Sequence, residues 1–372
     1  MQILVTLGDL NDAPRLIPIW SAHLSGVSFK TMGLSGTEFL EDAAKEVHFS
    51  VRTTINPAGY DVGGTGIVKA DDDFRWKQER LVRSLLAMGA LPTFTCTPYS
   101  IEYAPPPGTH LAWAESSAVI YVNSITGAFS NREGAPTALA SAAVGKTPDY
   151  GLHRAEGRHP QMLVEVDASK GPIRYTVLGA YLGKLLGSKI PYLRGVKPGI
   201  DSMKEMGAAM SAWGSVPMFH VEGVTHEAGA QDVSRLDRIS VGAKQLAEFE
   251  NTLGGGEEPN LVAIGCPHCN VNELTILAEA IKKRGGKVKL GRAVWAFTSR
   301  SVIAANPELV DGLRKAGVKI VQDTCMVVAP IGSEYPVIAV NSAKAAFYAS
   351  RKSFSGQKVV FGTTEELVQK YV

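Results

Sequence analysis

The strongest constraint on the fold is a regular alternation of strand-like and helix-like segments that begins at Leu261. The apolar run LVAIG leads into a cysteine-rich turn, and a helical pattern then extends from about Val271 to Arg284. After it the sequence predicts the strands KVKL and VWAFT, a helix that ends at Ala316 and the strand VKIV. Because parallel strands need a helical crossover between them, this pattern predicts a layered α/β domain with a parallel sheet.

Helical and strand-like patterns also alternate before this region. The segments Gly36 to Glu46, Phe74 to Met88 and Tyr175 to Leu186 have helical patterns, and Gly187 stands where a helix C-cap is expected. The segment Gln161 to Val166 alternates like a strand. Short clusters of Gly, Asn, Ser and Pro separate these pieces, as turns do. The first part of the chain is therefore also predicted to be α/β.

A glycine-rich stretch from Asn251 to Asn260 is the predicted linker, because such a composition cannot bury a core. We predict an α/β region over residues 1–255, which carries the first cysteine and most polar motifs. Residues 256–340 are predicted to form the layered parallel domain with the other cysteines. Residues 341–372 are predicted to be a strand and helix that pack back on the core.

Charge and hydropathy exclude several classes of protein. The net charge is +2 and there is no basic arm or acidic tail, which argues against a nucleic-acid partner. No apolar run approaches the roughly 20 residues of a membrane-spanning helix. The opening MQILVTLGDL lacks the basic flank and cleavage site of a signal peptide. We therefore expect a cytoplasmic protein without a membrane or nucleic-acid partner.

Three of the four cysteines occur in similar places. Cys96 follows the strand-like LPTFT, Cys266 ends the strand LVAIG, and Cys325 follows VKIV. The carboxyl ends of parallel strands form the edge at which ligand sites occur. The alternative is that each cysteine is only a small buried side chain of the core, as most free cysteines are. The shared context of the three favours reactive or metal-binding thiols.

The spacing of the cysteines bears on which metal they hold. Cys266 and Cys269 are spaced as in zinc and redox sites, but a structural zinc site needs a second close pair, which this sequence does not have. Thiolates from distant parts of a chain fit an iron–sulfur cluster better, and three of them leave one iron open. An open iron acts as a Lewis acid on a leaving hydroxyl group. The sequence has no HExxH motif, which argues against a zinc hydrolase.

Polar side chains are concentrated between residues 115 and 133. Such a density of hydrogen-bonding groups is typical of a pocket for a small acid, and Arg132 can form two parallel bonds to a carboxylate. The polar members of this run are Glu115, Ser116, Ser117, Asn123, Ser124, Asn131, Arg132 and Glu133. A polar loop with helix caps is the alternative, and we prefer it for Asn131 and Glu133 taken alone.

Further polar residues stand in two turns and on one helix. His23 and Ser25, with Lys30 behind them, form one polar turn, and Asn56 in TTINPAG forms the other. Each turn either binds a substrate oxygen or has polar residues only because they favour turns. Lys344 lies on a predicted helix and reaches the site only if that helix faces it.

Several longer motifs make the chain resemble the aconitase X family, a divergent branch of the aconitase superfamily. They run in family order over nearly the whole sequence: AHLSGVSFKT, TTINPAG, CTPY, HLAWAESSAVIYVNS with SNREGAP, KTPDYGLH, FHVEG, GCPH, DTCM and NSAKAAFYAS. The resemblance implies an aconitase-like fold, with stacked three-layer α/β/α domains and largely parallel sheets. It also implies that the protein is a hydro-lyase.

The resemblance makes Cys96, Cys266 and Cys325 the ligands of an iron–sulfur cluster. A 4Fe–4S cluster is the expected form, and a 2Fe–2S cluster or a single iron are the alternatives. Ordinary aconitases take two ligands from a close cysteine pair, so a set in which Cys269 replaces Cys325 stays open.

Roles for the polar residues complete the expected site. We expect catalytic roles for Glu115 and His23. Substrate contacts are expected for Ser25, Lys30, Asn56, Ser116, Asn123, Ser124, Arg132 and Lys344.

The resemblance also implies a partner and two candidate reactions. In the superfamily a small swivel domain closes over the cluster and supplies a serine that takes part in proton removal. The recognised motifs extend from near the start of this chain to near its end, so we expect a separate small subunit. Family members dehydrate small anionic hydroxy acids, either 5-phosphomevalonate in an archaeal mevalonate pathway to isoprenoids or cis-3-hydroxy-L-proline.

We favour dehydration of (R)-5-phosphomevalonate to trans-anhydromevalonate 5-phosphate. Large chains with a detached small subunit resemble that branch of the family, and Lys30, Lys344 and Arg132 suit a phosphate and a carboxylate. The alternatives are the hydroxyproline reaction and a non-catalytic iron–sulfur regulatory protein.

Overall fold

Three sheets of parallel strands organise the chain, and each is built from one continuous stretch of sequence. The structure is a computed structural model, and it describes residues 1–101, 104–169 and 171–372. The α/β class and the largely parallel sheets predicted from the sequence are confirmed. The division of the chain after residues 255 and 340 stays a prediction.

The first stretch begins with a helix and alternates strands with helices. Its elements are α1 (Gln2–Leu10), β1 (Leu16–Pro18), β2 (Ser21–Leu24), α2 (Phe29–Ala43), β3 (Arg52–Ile55), α3 (Asp72–Ala87), β4 (His110–Trp113), α4 (Ser116–Tyr121), β5 (Phe129–Ser130), α5 (Ala135–Val144) and β6 (Lys146–Pro148). The sheet has the order β3-β2-β4-β5 with parallel neighbours, and β1 pairs antiparallel with β6. The polar residues at the carboxyl ends of β2, β3 and β4 therefore share one edge.

The second stretch forms a smaller parallel sheet with two closely packed helices. Its elements are β7 (Met162–Asp167), α6 (Tyr175–Leu186), β8 (Pro191–Arg194), α7 (Ile200–Gly214), β9 (His220–Val221), β10 (Arg238–Gly242) and α8 (Ala243–Glu250), with the sheet order β10-β7-β8-β9. A Cβ atom on Gly179 would lie 2.1 Å from the carbonyl oxygen of Met206. Only glycine permits this close approach of α6 to α7.

The third stretch carries the regular alternation that the sequence predicts. Its elements are β11 (Leu261–Cys269), α9 (Val271–Lys283), β12 (Val294–Thr298), α10 (Arg300–Ala305), α11 (Pro307–Lys315), β13 (Lys319–Val321), β14 (Val337–Val340), α12 (Ala343–Ala349), β15 (Lys358–Phe361) and α13 (Thr364–Tyr371). The order is β13-β12-β11-β14-β15, and all neighbours are parallel.

The central position of β11 explains its apolar sequence. All of its residues are buried, as expected of a strand that is covered on both faces. On one face, Leu274 of α9, Val310 of α11 and Leu367 of α13 belong to one core cluster. On the other face, Ala345 of α12 packs with Met326 in a second cluster. The third sheet thus lies between two layers.

Short turns complete the described elements. They are the 3-10 turns Pro98–Ser100, Gly151–His153, Ala155–Arg158 and Ala228–Ala230 and the π-helical turn Val122–Thr126. No helix in the described part of the chain is long and apolar enough to cross a membrane.

The predicted strand KVKL is wrong, because residues 287–290 form no strand. Gly285 and Gly286 both have positive φ angles and turn the chain just before this segment. The side chain of Leu290 is fully exposed. The alternation of lysines with apolar residues imitates a strand, but only Val288 packs against the core, and Leu290 does not.

The strand-like LPTFT is also irregular. Leu91 and Thr95 donate main-chain hydrogen bonds to the carbonyl oxygens of Thr53 and Ile55, so the segment follows β3. Phe94 has a φ of 42° and interrupts a regular ladder. The tail after Val337 holds two strand and helix pairs, β14 with α12 and β15 with α13, where the sequence predicts one.

Candidate active site

A cavity of about 420 Å³ lies between residues of the first and third stretches. It is lined by three of the four cysteines and by six of the polar residues that the sequence singles out. The lining residues are Ser25, Gly26, Thr31, Met32, Asn56, Pro57, Cys96, Ala114, Glu115, Ser116, Arg132, Ala135, Cys266, Cys325, Val327, Val328, Lys344, Tyr348 and Phe354. The two groups of residues that the motifs place far apart in sequence therefore share one cavity.

The cysteine wall consists of Cys96, Cys266 and Cys325. Cys266 lies near the end of β11, where the pairing with β12 becomes irregular after Ile264, and Cys325 follows β13. All three thiols are free and buried. Cys269 is buried too, but it packs in the core cluster of α9 and does not line the cavity.

Burial makes these thiols poor acids without a positive partner. It raises the pKa of Cys96 to about 12, and it also raises the pKa values of Cys266 and Cys325. Main-chain N–H groups offset part of this cost: His268 donates to Sγ of Cys96 over 3.3 Å, and Val327 and Val328 donate to Cys325. A metal bound here would supply the missing positive charge and hold the thiols as thiolates.

The donor set fits a cluster of several irons. Three soft thiolates from separate segments face one cavity, which suits iron–sulfur chemistry. Within residues 1–101, 104–169 and 171–372, no three His, Cys, Asp or Glu side chains converge to hold a single ion. The thiolates of a cluster bind different irons, so they need not converge on one point.

A buried ion pair dominates the polar wall. Glu115 follows β4 and caps the start of α4, and its Oε1 accepts a hydrogen bond of 2.6 Å from Nζ of Lys344. Burial raises the pKa of Glu115, but the charge and hydrogen bond of Lys344 outweigh it, and the result is a pKa of about 2. Burial lowers the pKa of Lys344, but the charge of Glu115 raises it by more. The pKa of Lys344 therefore lies above its ordinary value. Both groups are charged at neutral pH.

Asn56 and His23 extend this ion pair to the adjacent strands. Nδ2 of Asn56 donates to Oε2 of Glu115 over 2.8 Å, and Oδ1 of Asn56 lies 2.9 Å from Nε2 of His23. Nδ1 of His23 lies 2.7 Å from Oγ1 of Thr54. Complete burial lowers the pKa of His23 to about 4, so the ring is neutral. A neutral ring with Nε2 as donor orients the Asn56 amide toward Glu115.

Arg132 is the exposed cation of the cavity. It follows β5 and makes no hydrogen bond or ion pair in the part of the chain that the structure describes. Ser25 and Ser116 also line the cavity and are half-buried. These three side chains are free to meet a bound acid.

Lys30 lies behind the cysteine wall rather than in the cavity lining. Its Nζ donates to the carbonyl oxygens of Val327 and Ala329 and to Oγ of Ser355, over 3.1, 3.4 and 3.0 Å. An ammonium group has three hydrogens, so these contacts occupy it. Partial burial lowers its pKa. Lys30 therefore holds the segment that follows Cys325, and its predicted contact with substrate stays a prediction.

The structure does not bring Asn123 and Ser124 to the cavity. Nδ2 of Asn123 donates to the carbonyl oxygens of Ser130 and Pro217, and Oγ of Ser124 accepts from the main-chain N–H of Phe219. Both residues are buried and join the first stretch to the second. Their predicted role in substrate binding stays a prediction, but their polar atoms are already paired.

The sequence analysis assigned no role to three residues that complete the site. Oγ of Ser117 donates to Glu115 and accepts from Lys344. Tyr348 lines the cavity one helical turn after Lys344, a spacing that places two helical side chains on one face. His268, within the GCPHC motif, contacts the cysteine-bearing segments. The sequence signals for these contacts were the polar run for Ser117 and the helical spacing for Tyr348.

Comparisons with known proteins cover the whole chain. Family models described as the aconitase X first, second and third domains match residues 1–156, 160–251 and 259–372. The phosphomevalonate dehydratase large subunit of Methanosarcina mazei is 41% identical over 373 residues, which are 100% of this chain and 91% of that protein. A cis-3-hydroxy-L-proline dehydratase of Hypocrea jecorina is 32% identical, over 99% of this chain and 64% of that protein.

A solved structure has the same fold. The crystal structure of Thermococcus kodakaraensis aconitase X in its holo-form superposes with a TM-score of 0.92 at 39% identity, over 100% of this chain and 94% of that one. The curated relatives are named dehydratases, in agreement with the hydro-lyase that the motifs imply. The chain therefore belongs to the aconitase X family and is a dehydratase.

Proposed function

We propose that this chain is the large catalytic subunit of an enzyme that dehydrates (R)-5-phosphomevalonate to trans-anhydromevalonate 5-phosphate in an archaeal-type mevalonate pathway. The observation that carries the proposal is one cavity with three cysteines on one wall and Arg132, Asn56 and the Lys344–Glu115 pair on the other. The full-length similarity to phosphomevalonate dehydratase large subunits supports the choice of substrate.

Cys96, Cys266 and Cys325 are the proposed ligands of a 4Fe–4S cluster. Cys96, Cys266 and Cys325 would hold such a cluster through three of its irons, and its remaining iron would supply Lewis acidity toward a leaving hydroxyl group. A 2Fe–2S cluster or a single iron are the alternatives that measured iron and sulfide contents distinguish. Cys269 faces the opposite side of β11 and is proposed as a neighbour rather than a ligand.

The polar wall binds and orients the acid. Arg132 offers two parallel N–H donors to a carboxylate at the exposed side of the cavity, and Ser25 and Ser116 offer hydroxyl groups. One hydrogen of the Asn56 amide is donated to Glu115, which leaves the second for a substrate oxygen. The Asn56 amide is held by Glu115 and His23, so it loses little entropy on binding and can stabilise negative charge that develops on the acid.

Glu115 and His23 are proposed to position these donors. A carboxylate with a pKa of about 2 and a ring with a pKa of about 4 are weak bases at neutral pH. Glu115 holds Lys344 and Asn56, and His23 holds Asn56 from the other side. The group that removes the proton is therefore proposed to come from a small swivel-domain subunit that closes over the cavity.

The cytoplasmic location stays a prediction.

The hydroxyproline reaction is the second candidate. Of the described cations that line the cavity, Lys344 is neutralised by Glu115, and Arg132 alone is unpaired. A substrate with both a phosphate and a carboxylate needs more positive charge than Arg132 supplies, and a small subunit is the proposed source. A substrate with one carboxylate needs no such addition.

The test is an anaerobic preparation of this chain with its small subunit. Iron and sulfide analysis is followed by dehydration assays on (R)-5-phosphomevalonate and on cis-3-hydroxy-L-proline. Turnover of the first substrate supports the proposal, and turnover of only the second replaces the substrate but keeps the site. A fully active protein without iron contradicts the proposed cofactor.

A further inference from the structure

One buried histidine contacts all three cysteine-bearing segments. We propose that His268 is a positioning residue that fixes Cys96, Cys266 and Cys325 relative to one another, through its main chain and both nitrogens of its ring. The inference rests on the proposed function because those cysteines are its metal ligands. Nothing in the sequence motif or in the reaction itself assigns this role to His268.

The main chain of His268 makes the first connection. Its N–H group donates to Sγ of Cys96 over 3.3 Å, and Cys266 lies two residues earlier on the same strand. Hydrogen bonds to cluster sulfurs stabilise thiolates and shift the reduction potential of a cluster. One peptide group therefore couples the thiol of the first stretch to the strand that carries the second thiol.

The imidazole ring makes the second and third connections. Nε2 lies 3.0 Å from the carbonyl oxygen of Thr324, which can only accept, so Nε2 carries the hydrogen and donates. Nδ1 lies 3.0 Å from Oγ1 of Thr95 and accepts from that hydroxyl group. Thr324 precedes Cys325 and Thr95 precedes Cys96. The rigid ring thus sets the separation of these two segments.

The second stretch of the chain holds the histidine from behind. Nζ of Lys204, on α7, donates to the carbonyl oxygen of His268 over 2.9 Å, and it forms a buried ion pair with Glu273 at the start of α9. His268 is 1% exposed and Lys204 is 5% exposed. Because water cannot replace these contacts, the loss of one leaves a buried polar group unpaired.

The geometry explains why histidine is needed at this position. A neutral imidazole carries a donor and an acceptor at opposite sides of one rigid ring. Glutamine can reproduce the donor of Nε2, and asparagine can reproduce the acceptor of Nδ1, but neither reproduces both. Contacts of this kind around metal ligands typically change metal affinity about 10- to 100-fold when they are removed.

The test compares three variants with a matched control. His268→Ala, His268→Gln and His268→Asn are prepared with the small subunit under anaerobic conditions, and His220→Gln is the control. His220 is also completely buried, and its Nε2 donates to the main-chain oxygen of Arg158, away from the cysteines. The control therefore replaces a similarly buried histidine that has no link to the cavity.

The first measurement is the rate at which a chelator removes iron, together with the electron paramagnetic resonance spectrum of the reduced protein. We expect His268→Ala to lose iron about tenfold faster than the parent and to have a shifted spectrum. His268→Gln and His268→Asn should give intermediate rates, and His220→Gln the parent rate. Parent rates and spectra in all three His268 variants overturn the proposal.

The second measurement needs no metal. In the iron-free folded chain, alkylation of Cys96 and Cys325 is followed by mass spectrometry. Faster alkylation in His268→Ala than in His220→Gln supports the positioning role, whether or not the parent protein binds iron. A parent protein that binds no iron contradicts the proposed function and not the positioning role. Equal alkylation rates contradict the positioning role. If His268→Ala does not fold, Thr95→Val removes the donor to Nδ1, together with the contacts of Thr95 to Thr97, and is measured in the same way.

Discussion

Nζ of Lys344 lies 2.6 Å from Oε1 of Glu115, and the two side chains are only 7% and 13% exposed. The pair joins α12 of the third stretch to the turn after β4 of the first. A buried ion pair of this kind adds little net stability compared with two apolar residues. Either charge left without the other is costly, because it stays buried without a partner. It fixes the polar wall of the cavity relative to the helix that follows β14.

Removal of one charge of this pair should strongly destabilise the protein. Lys344→Met leaves Glu115 buried without its partner, and we expect a loss of about 3–5 kcal/mol in the free energy of unfolding. Urea denaturation of the iron-free chain measures this loss. The double variant Lys344→Met with Glu115→Leu should recover most of it. Lys45→Met, which breaks the exposed pair with Asp42, is the control and should unfold like the parent.

Replacement of Arg132 should weaken the use of substrate without changing the fold. Arg132→Ala is expected to lower kcat/KM about 10- to 100-fold, because charged hydrogen bonds contribute about 1.5–3 kcal/mol. Arg132→Lys should recover only part of the loss, since an ammonium group cannot form two parallel bonds. Arg154, exposed and away from the cavity lining, provides the control variant Arg154→Ala. Full activity of Arg132→Ala contradicts the proposed acid contact.

The cysteines should separate into ligands and a neighbour. Cys96→Ala, Cys266→Ala and Cys325→Ala are each expected to lose most bound iron and all dehydratase activity. Cys269→Ala should keep both, because Cys269 packs against α9 and lies outside the cavity lining. Iron content and turnover of the four variants are compared. Iron retained in Cys325→Ala but lost in Cys269→Ala would establish the alternative ligand set.

Lys30 should affect the cysteine wall more than substrate affinity. Lys30→Met removes two contacts to the segment that follows Cys325 and one to Ser355, and we expect faster loss of iron to a chelator with little change in KM. Lys30→Arg keeps the charge but not the geometry, so it should behave similarly. A large rise in KM for the phosphorylated substrate alone would instead support the predicted phosphate contact.

The stability of the chain should fall in mildly acidic solution. His153 is buried with its Nδ1 3.0 Å from Nδ1 of His110, and burial lowers its pKa from 6.5 to about 3. Between these values the unfolded chain binds a proton that the folded chain does not, so stability decreases as the pH falls below 6.5. Through this residue we expect a loss of about 2 kcal/mol between pH 7.5 and pH 5.

Urea midpoints of the iron-free chain at pH 7.5 and pH 5 measure that loss. His153→Gln has no proton to gain at this position, so its midpoint should fall less than that of the parent. An equally steep dependence in the variant assigns the effect to other groups. The difference between the midpoints of the parent and of His153→Gln at pH 7.5 measures the cost of losing the hydrogen bond between His153 and His110.

Strand ends made much of the site predictable from the sequence. His23, Asn56 and Glu115 lie at or just after the carboxyl ends of β2, β3 and β4, and these ends meet at one edge of a parallel sheet. The same rule brings Cys266 and Cys325 together at the edge of the third sheet. The family motifs then add Cys96, which the irregular segment before it does not place.

The remaining residues depend on tertiary contacts that have no local signal. Asn123 and Ser124 share the polar run with Glu115, but the helix α4 and the π-helical turn carry them toward the second stretch. Lys30 is near the site in sequence, but its stem points to the segment after Cys325. Lys344 is buried because its side chain reaches Glu115 and Ser117 of the first stretch, which an isolated helical pattern cannot show.

The different positions of the cysteines and the unpaired polar side chains have a consequence for how such enzymes diverge. Cys266 and Cys325 belong to the third stretch and His268 ties Cys96 to them, whereas Ser25, Ser116 and Arg132 follow strands of the first sheet. We expect substitutions at Arg132, Ser25 or Ser116 to alter which acid fits while the proposed metal ligands stay in place. New substrates are then expected to arise in this fold by exchange of these side chains, with the cysteines inherited unchanged.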